Sequence, residues 1–169
     1  TYNDELTSYI QDSQVDVRAK EMIWEALEID DEARKTRLLQ MALDNDAHTI
    51  ITGSFPNLSA VCNFLLKENK NVILGCAGWK DRFNLEDTLF AGAVINRIKE
   101  NFTIHCDSSL TAEQQYLLVK DDLYSFAPNL THYHRLVDRF GLIDDIRFCL
   151  TPDAADVLPL YKDGLLMKG

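Results

Sequence analysis

Cysteine is scarce and scattered in this sequence, and positive charge is outnumbered. The four cysteines, Cys62, Cys76, Cys106 and Cys149, include no C-x-x-C pair and fall short of a small disulfide scaffold, so they are read as reduced thiols. No apolar run approaches the roughly 20 residues that cross a bilayer. Asp4 and Glu5 stand where a signal peptide carries positive charge, so a soluble, cytoplasmic protein is expected. Only 17 Lys and Arg face 27 Asp and Glu, a formal charge of -10. That balance disfavours an electrostatic grip on nucleic acid or on an anionic membrane, and an anionic ligand then needs a local positive pocket. Seven Gly and four Pro in 169 residues, with 46% hydrophobic and 26% charged side chains, exclude collagen-like and wholly disordered chains. The length suits one globular domain with its own core.

The charge is unevenly spread. Residues 1 to 46 hold 12 acidic and 5 basic side chains, the other 123 hold 15 and 12. From Val17 through Leu43 apolar residues recur at spacings of 1, 3 and 4, with a break near Ile29 to Asp31, which predicts two acidic helices. From His48 the pattern changes. Thr49 to Thr52 is a β-branched run ended by Gly53, followed by a helix over about Pro56 to Glu68 with Leu58, Val61, Cys62, Leu65 and Leu66 as its stripe. Asn71 to Cys76 reads as a second strand, apolar enough to be covered on both faces. Leu85, Leu89, Phe90, Ala93, Val94 and Ile98 line the next helix. Helices at about 111–123 and 129–140 and a strand at Asp145 to Leu150 follow, and short extended pieces finish the chain. Strands alternating with helices predict an α/β fold, a three-layer α/β/α arrangement with a mostly parallel sheet, preceded by the acidic helices. The whole of 1–169 is read as a single α/β domain, with 1–46 its acidic helical segment and 48–169 the α/β part. Ligands in such sheets collect at the carboxyl ends of strands.

Two loops stand at such ends. In Gly53-Ser54-Phe55-Pro56-Asn57, the backbone N–H groups at the helix start with Ser54 and Asn57 make a candidate anion site, and simple capping explains the same residues. The stretch from Gly75 to Asp87 is richer. Cys76 and Arg82 have the C-x5-R spacing by which cysteine phosphatases wrap a phosphate between a thiolate and an arginine fork. Phe83 and Gly75 depart from that motif, and a buried strand-end cysteine is the plainer alternative. Asn84 reads as an N-cap, with Glu86 and Asp87 in the first turn where the helix dipole favours them. The same pair, beside Lys80 and Arg82, could hold Mg2+, which takes one or two carboxylates and completes its shell with substrate phosphate oxygens. His132-Tyr133-His134 lies on a helical pattern where residues two apart point in nearly opposite directions, so a metal pair is rejected there, with one histidine packed and the other facing solvent.

Gly53-Ser54-Phe55-Pro56-Asn57-Leu58-Ser59-Ala60-Val61, then Cys76-Ala77-Gly78-Trp79, Leu85-Glu86-Asp87 and Ala91-Gly92, resemble the 2-phosphosulfolactate phosphatase family. Arg135-Leu136, Gly141, Asp145-Ile146, Cys149 and Val157-Leu158-Pro159 continue the resemblance, which covers about residues 50 to 169. Val15-Asp16-Val17-Arg18-Ala19 is only a faint echo of the family's D-V-L-R-A-like motif, and no role is carried onto it. Membership implies magnesium-dependent hydrolysis of phosphate from 2-phospho-3-sulfolactate on the way to coenzyme M, or from a similar small phosphorylated acid. In that reading Ser54, Asn57 and Lys80 bind the substrate, Arg82 grips phosphate, Glu86 and Asp87 hold the metal, and Cys76 is a reserve nucleophile. The alternative is a truncated, non-catalytic binding or interaction domain related to that family. A natural chain of this length is expected to form a homo-oligomer, because an unpaired apolar strand edge aggregates.

Overall fold

The computed structural model describes Ala42 and residues 47–78, 82–162 and 165–169. The acidic helices expected over 17–43 and the Lys80 side chain lie outside the described residues, Ala42 alone excepted, which is helical. Within the span expected as one domain, the contacts cluster into two compact units. One gathers the described residues up to Thr52 with Pro159–Gly169, and the other is Gly53–Leu158.

The first unit is a small sheet. Strand β1 (Ile50–Ile51) pairs antiparallel with β2 (Pro159–Lys162), Ile50 opposite Tyr161 and Ile51 opposite Leu160. Strand β2 in turn pairs antiparallel with β3 (Leu165–Lys168), from Pro159 opposite Lys168 to Lys162 opposite Leu165. The Thr52 N–H extends the first ladder by donating to the Pro159 carbonyl at 3.1 Å. The mixed helix and strand content agrees with expectation, but among the described residues the sheet is three-stranded and antiparallel, in the order β1-β2-β3.

The second unit is helical. A 3-10 turn (Phe55–Asn57) leads into α1 (Leu58–Glu68), followed by α2 (Leu85–Ile98), α3 (Asp107–Val119), the short α4 (Leu123–Phe126), α5 (Thr131–Phe140) and α6 (Ile143–Cys149). Helix α1 buries the stripe expected of it, Leu58, Val61, Cys62 and Leu65, and ends where Asn69 turns left-handed and its N–H donates to the Leu65 carbonyl. Helix α2 is the centre of the unit. Leu89, Ala91, Ala93, Val94, Ile95 and Ile98 are all buried, more than one face can supply, so it is covered on several sides. Truncating Leu89 to Ala would leave a cavity costing about 2–5 kcal/mol. Gly92 lets α3 approach: a Cβ there would lie 2.1 Å from the Ala112 carbonyl oxygen. Beside that contact the buried Glu113 of α3 accepts from Lys99 Nζ at 2.7 Å and from Asn96 Nδ2 at 3.0 Å.

Two expected strands are absent as such. Residues 145–149 belong to α6, with Leu150 as its C-cap, and not to a strand, because Leu142 and Ile146 are buried one helical turn apart and fix the helical period. Residues 71–76 run in no regular element. Ile73, expected inside a doubly covered strand, is 65% exposed. An apolar run becomes a strand only when another strand takes its N–H and C=O groups.

Candidate functional site at the start of helix α2

Asn84 begins α2 in an extended conformation, and its Oδ1 accepts from the Glu86 N–H at 3.1 Å. Its carbonyl takes the Thr88 N–H at 3.3 Å and the Thr88 hydroxyl at 3.0 Å, so Asn84 and Thr88, both buried, lock the first turn. Glu86 and Asp87 ride on that turn, where the helix dipole favours negative charge.

Each carboxylate is met from elsewhere in the chain. Glu86 Oε1 lies 2.7 Å from His132 Nδ1 on α5 and 3.1 Å from the Asn84 Nδ2 donor. Burial opposes the Glu86 charge, but hydrogen bonds from His132 and Asn84, helped by the His132 and Arg135 charges, outweigh it and hold the carboxyl below its ordinary value. Asp87 Oδ2 accepts from the Gly78 N–H at 2.6 Å. Gly78 sits at φ +68°, and a Cβ on it would come within 2.6 Å of the Arg82 carbonyl oxygen, so only glycine fits at this close approach. Arg82 and Phe83 are exposed.

Cys76 also lies beside Asp87 and Thr88. Burial pushes its thiol up and the Asp87 charge pushes it further, against a hydrogen bond with Thr88. A nucleophilic cysteine requires the reverse, an electropositive surrounding that stabilises the thiolate. Burial and the Asp87 charge thus act against a thiolate at Cys76, the nucleophile that the C-x5-R spacing would call for.

The other expected pair, Ser54 and Asn57, forms a reciprocal lock at the start of α1. The Ser54 N–H donates to Asn57 Oδ1 at 2.8 Å, and Asn57 Nδ2 donates to the Val157 carbonyl at 3.0 Å. Asn57 is only 5% exposed. An anion already serves this helix start, and the chain supplies it. Asp153 Oδ1 accepts from the Ser59 N–H at 2.6 Å, while Arg97 bridges Ser59 Oγ at 2.6 Å and Asp153 Oδ2 at 3.1 Å. The structure thus forms two polar groups, one at each helix start: Ser54 and Asn57 with Asp153 and Arg97, and Cys76, Glu86 and Asp87 with Gly78, Asn84 and His132.

Sequence reasoning missed His132, Asp153 and Arg97. The signal for His132 was available: of the two histidines, one was expected to pack, and His132 does, whereas His134 is exposed and lies 3.6 Å from Asp138. Its destination on Glu86 was not readable. Among the described residues no group of three or more His, Cys, Asp and Glu side chains gathers as a metal cluster, and none of the described helices is long and apolar enough to cross a membrane.

The sequence profile of the family described as 2-phosphosulpholactate phosphatase matches residues 34–164. The chain belongs to this family. A probable 2-phosphosulfolactate phosphatase of Caldanaerobacter subterraneus subsp. tengcongensis is 33% identical over 71% of this chain and 50% of its own length. A probable 2-phosphosulfolactate phosphatase of Thermotoga maritima is 36% identical over 70% of this chain and 50% of its own. One of Synechocystis is 32% identical over 73% and 52%. The chain spans about half the length of the curated relatives it matches.

Proposed function

We propose that this chain works as a magnesium-dependent phosphomonoester hydrolase on 2-phospho-3-sulfolactate or a similar small phosphorylated acid, in the cytoplasm, with its chemistry at the start of α2. The observation that carries the reading is the placement of two carboxylates, Glu86 and Asp87, on one helical turn buttressed by the Gly78 N–H and by His132. The donor chemistry suits the metal. Magnesium takes hard oxygen ligands, often only one or two carboxylates, and Glu86 is held in its charged form. Glu86 and Asp87 would hold the ion. When bound, it would neutralise phosphoryl oxygens and lower the pKa of a coordinated water.

The protein groups do the rest. The exposed Arg82 offers a planar fork for phosphate oxygens, and Lys80, two positions before it in sequence, adds positive charge in a chain that is otherwise acidic. Ser54 and Asn57 serve this reading as the lock of α1, the Ser54 N–H and hydroxyl both donating to Asn57 Oδ1. Cys76 stays in reserve as nucleophile in this reading, because burial and the Asp87 charge raise its thiol.

Phosphate release from 2-phospho-3-sulfolactate, with Mg2+ and with EDTA, tests the reading on the purified chain and on Glu86→Ala/Asp87→Ala. Release that needs Mg2+, survives Cys76→Ser and falls more than about 100-fold in the double variant, or ~2.7 kcal/mol of barrier, is expected. Release that persists in EDTA and disappears with Cys76→Ser overturns the metal route in favour of the thiolate.

A further inference from the structure

The start of α2 receives a partner that its own sequence neighbourhood does not supply. His132, the second residue of α5, reaches Glu86 across 46 positions of chain, and its side chain is 13% exposed against 60% for His134. The bonding around it places its proton. Asn84 uses Oδ1 to accept from the Glu86 N–H, which fixes the amide and leaves Nδ2 as a donor to Glu86 Oε1. A carboxylate only accepts, and a lone pair on His132 Nδ1 would repel Oε1 at 2.7 Å, so Nδ1 carries the hydrogen. The 3.2 Å approach of Asn84 Nδ2 to His132 Nδ1 is then two donors converging on one acceptor oxygen.

Two donors from different elements, one at the cap of α2 and one on α5, leave the Glu86 side chain little rotational freedom. Groups that donate to a metal-binding side chain in this manner orient it, and their loss typically weakens metal binding roughly 10–100-fold. We propose that His132 is the positioning residue for Glu86: its Nδ1–H, together with the Asn84 amide, fixes the carboxylate in the orientation that serves magnesium. The inference rests on the assignment of Glu86 and Asp87 as the metal-holding pair.

Titration of the full chain with MgCl2 by calorimetry, on the wild type and on His132→Asn, His132→Gln, His132→Phe and Glu86→Gln, tests it. Each variant's melting without metal shows first that it is folded. Asn can place an amide donor where Nδ1 stands, Gln only near Nε2, and Phe none. His132→Asn is expected to keep the wild-type affinity within about threefold, and His132→Gln and His132→Phe to lose roughly 10-fold or more. Should His132→Phe fail to fold, the contrast between Asn and Gln decides. Unchanged affinity in His132→Gln and His132→Phe, with Glu86→Gln still weakened, overturns the positioning role and leaves the metal assignment standing. Absence of Mg2+ binding by the wild type overturns both.

Discussion

The starts of α1 and α2 look alike in sequence, each a capping residue followed by polar groups at a turn, yet they are built to opposite ends. At α1 the chain closes its own circuit: Asn57 is buried between Ser54 and Val157, and Asp153 with Arg97 supplies the counter-charge to the first turn. At α2 the helix itself carries the charge, and neutral or basic groups come to it, Gly78 to Asp87 and His132 to Glu86. A helix start whose N–H groups are satisfied by the protein's own carboxylate has little left for a ligand anion. One whose first turn carries carboxylates has the hard oxygen donors that the proposed magnesium site requires.

The contrast can be broken at its base. Of the substitutions that bear on this contrast, Gly92→Val should cost the most stability, because its side chain must push into the Ala112 carbonyl, 2.1 Å from the first added carbon; a loss of about 3 kcal/mol, towards the upper end of overpacking costs, is expected in urea unfolding. Unchanged stability would show that α3 can slide and that α2 is not a fixed platform. Asn57→Ala comes next. It removes the acceptor of the Ser54 N–H and the donor to Val157, for an expected loss of about 2 kcal/mol with kcat of the folded chain unchanged. A fall in kcat without loss of stability would return Asn57 to the substrate site.

Asn84→Ala sharpens the contrast from the other side. The lost cap should cost about 1 kcal/mol, and because the same amide also holds Glu86, activity should fall with it. Asn57→Ala and Asn84→Ala thus separate a lock from a working helix start.

The smallest effect is a pH dependence. Burial opposes the Asp153 charge, but the Ser59 N–H and hydroxyl and Arg97 outweigh it, so its carboxyl titrates below the ordinary value of 3.8. A carboxyl lowered by folding contributes its stability fully above the unfolded value and loses it as pH falls through the folded one. Thermal melts of the wild type should therefore drop below about pH 4 more steeply than those of Asp153→Asn. Parallel curves would mean that the exposed Arg97 pair adds nothing measurable.

Much of the helical unit was legible. The stripes of α1 and α2 follow from apolar residues at helical spacing, and Asn84 was readable as a cap because its action reaches only two to four residues along the chain. Asp145 to Leu150, between Gly141 and Pro152, reads as a strand, yet Leu142 and Ile146 satisfy a helical period equally well, and burial at that spacing settled the matter. Residues 71–76 have strand composition without a strand, whereas Leu165–Lys168, read only as an extended piece, forms one by pairing with Pro159–Lys162.

Composition and periodicity alone determine the acidic balance, the buried faces of α1 and α2, and the placing of Glu86 and Asp87 in a first helical turn, because each depends on neighbours within a few residues. Long-range packing settled the rest: the antiparallel direction of the sheet, the choice of Asp153 as the anion at α1, and the meeting of His132 with Glu86. The contacts of His132 and Asp153 join residues 46 and 94 positions apart, and no local pattern encodes which of several chemically suitable partners the folded chain will bring within hydrogen-bond reach.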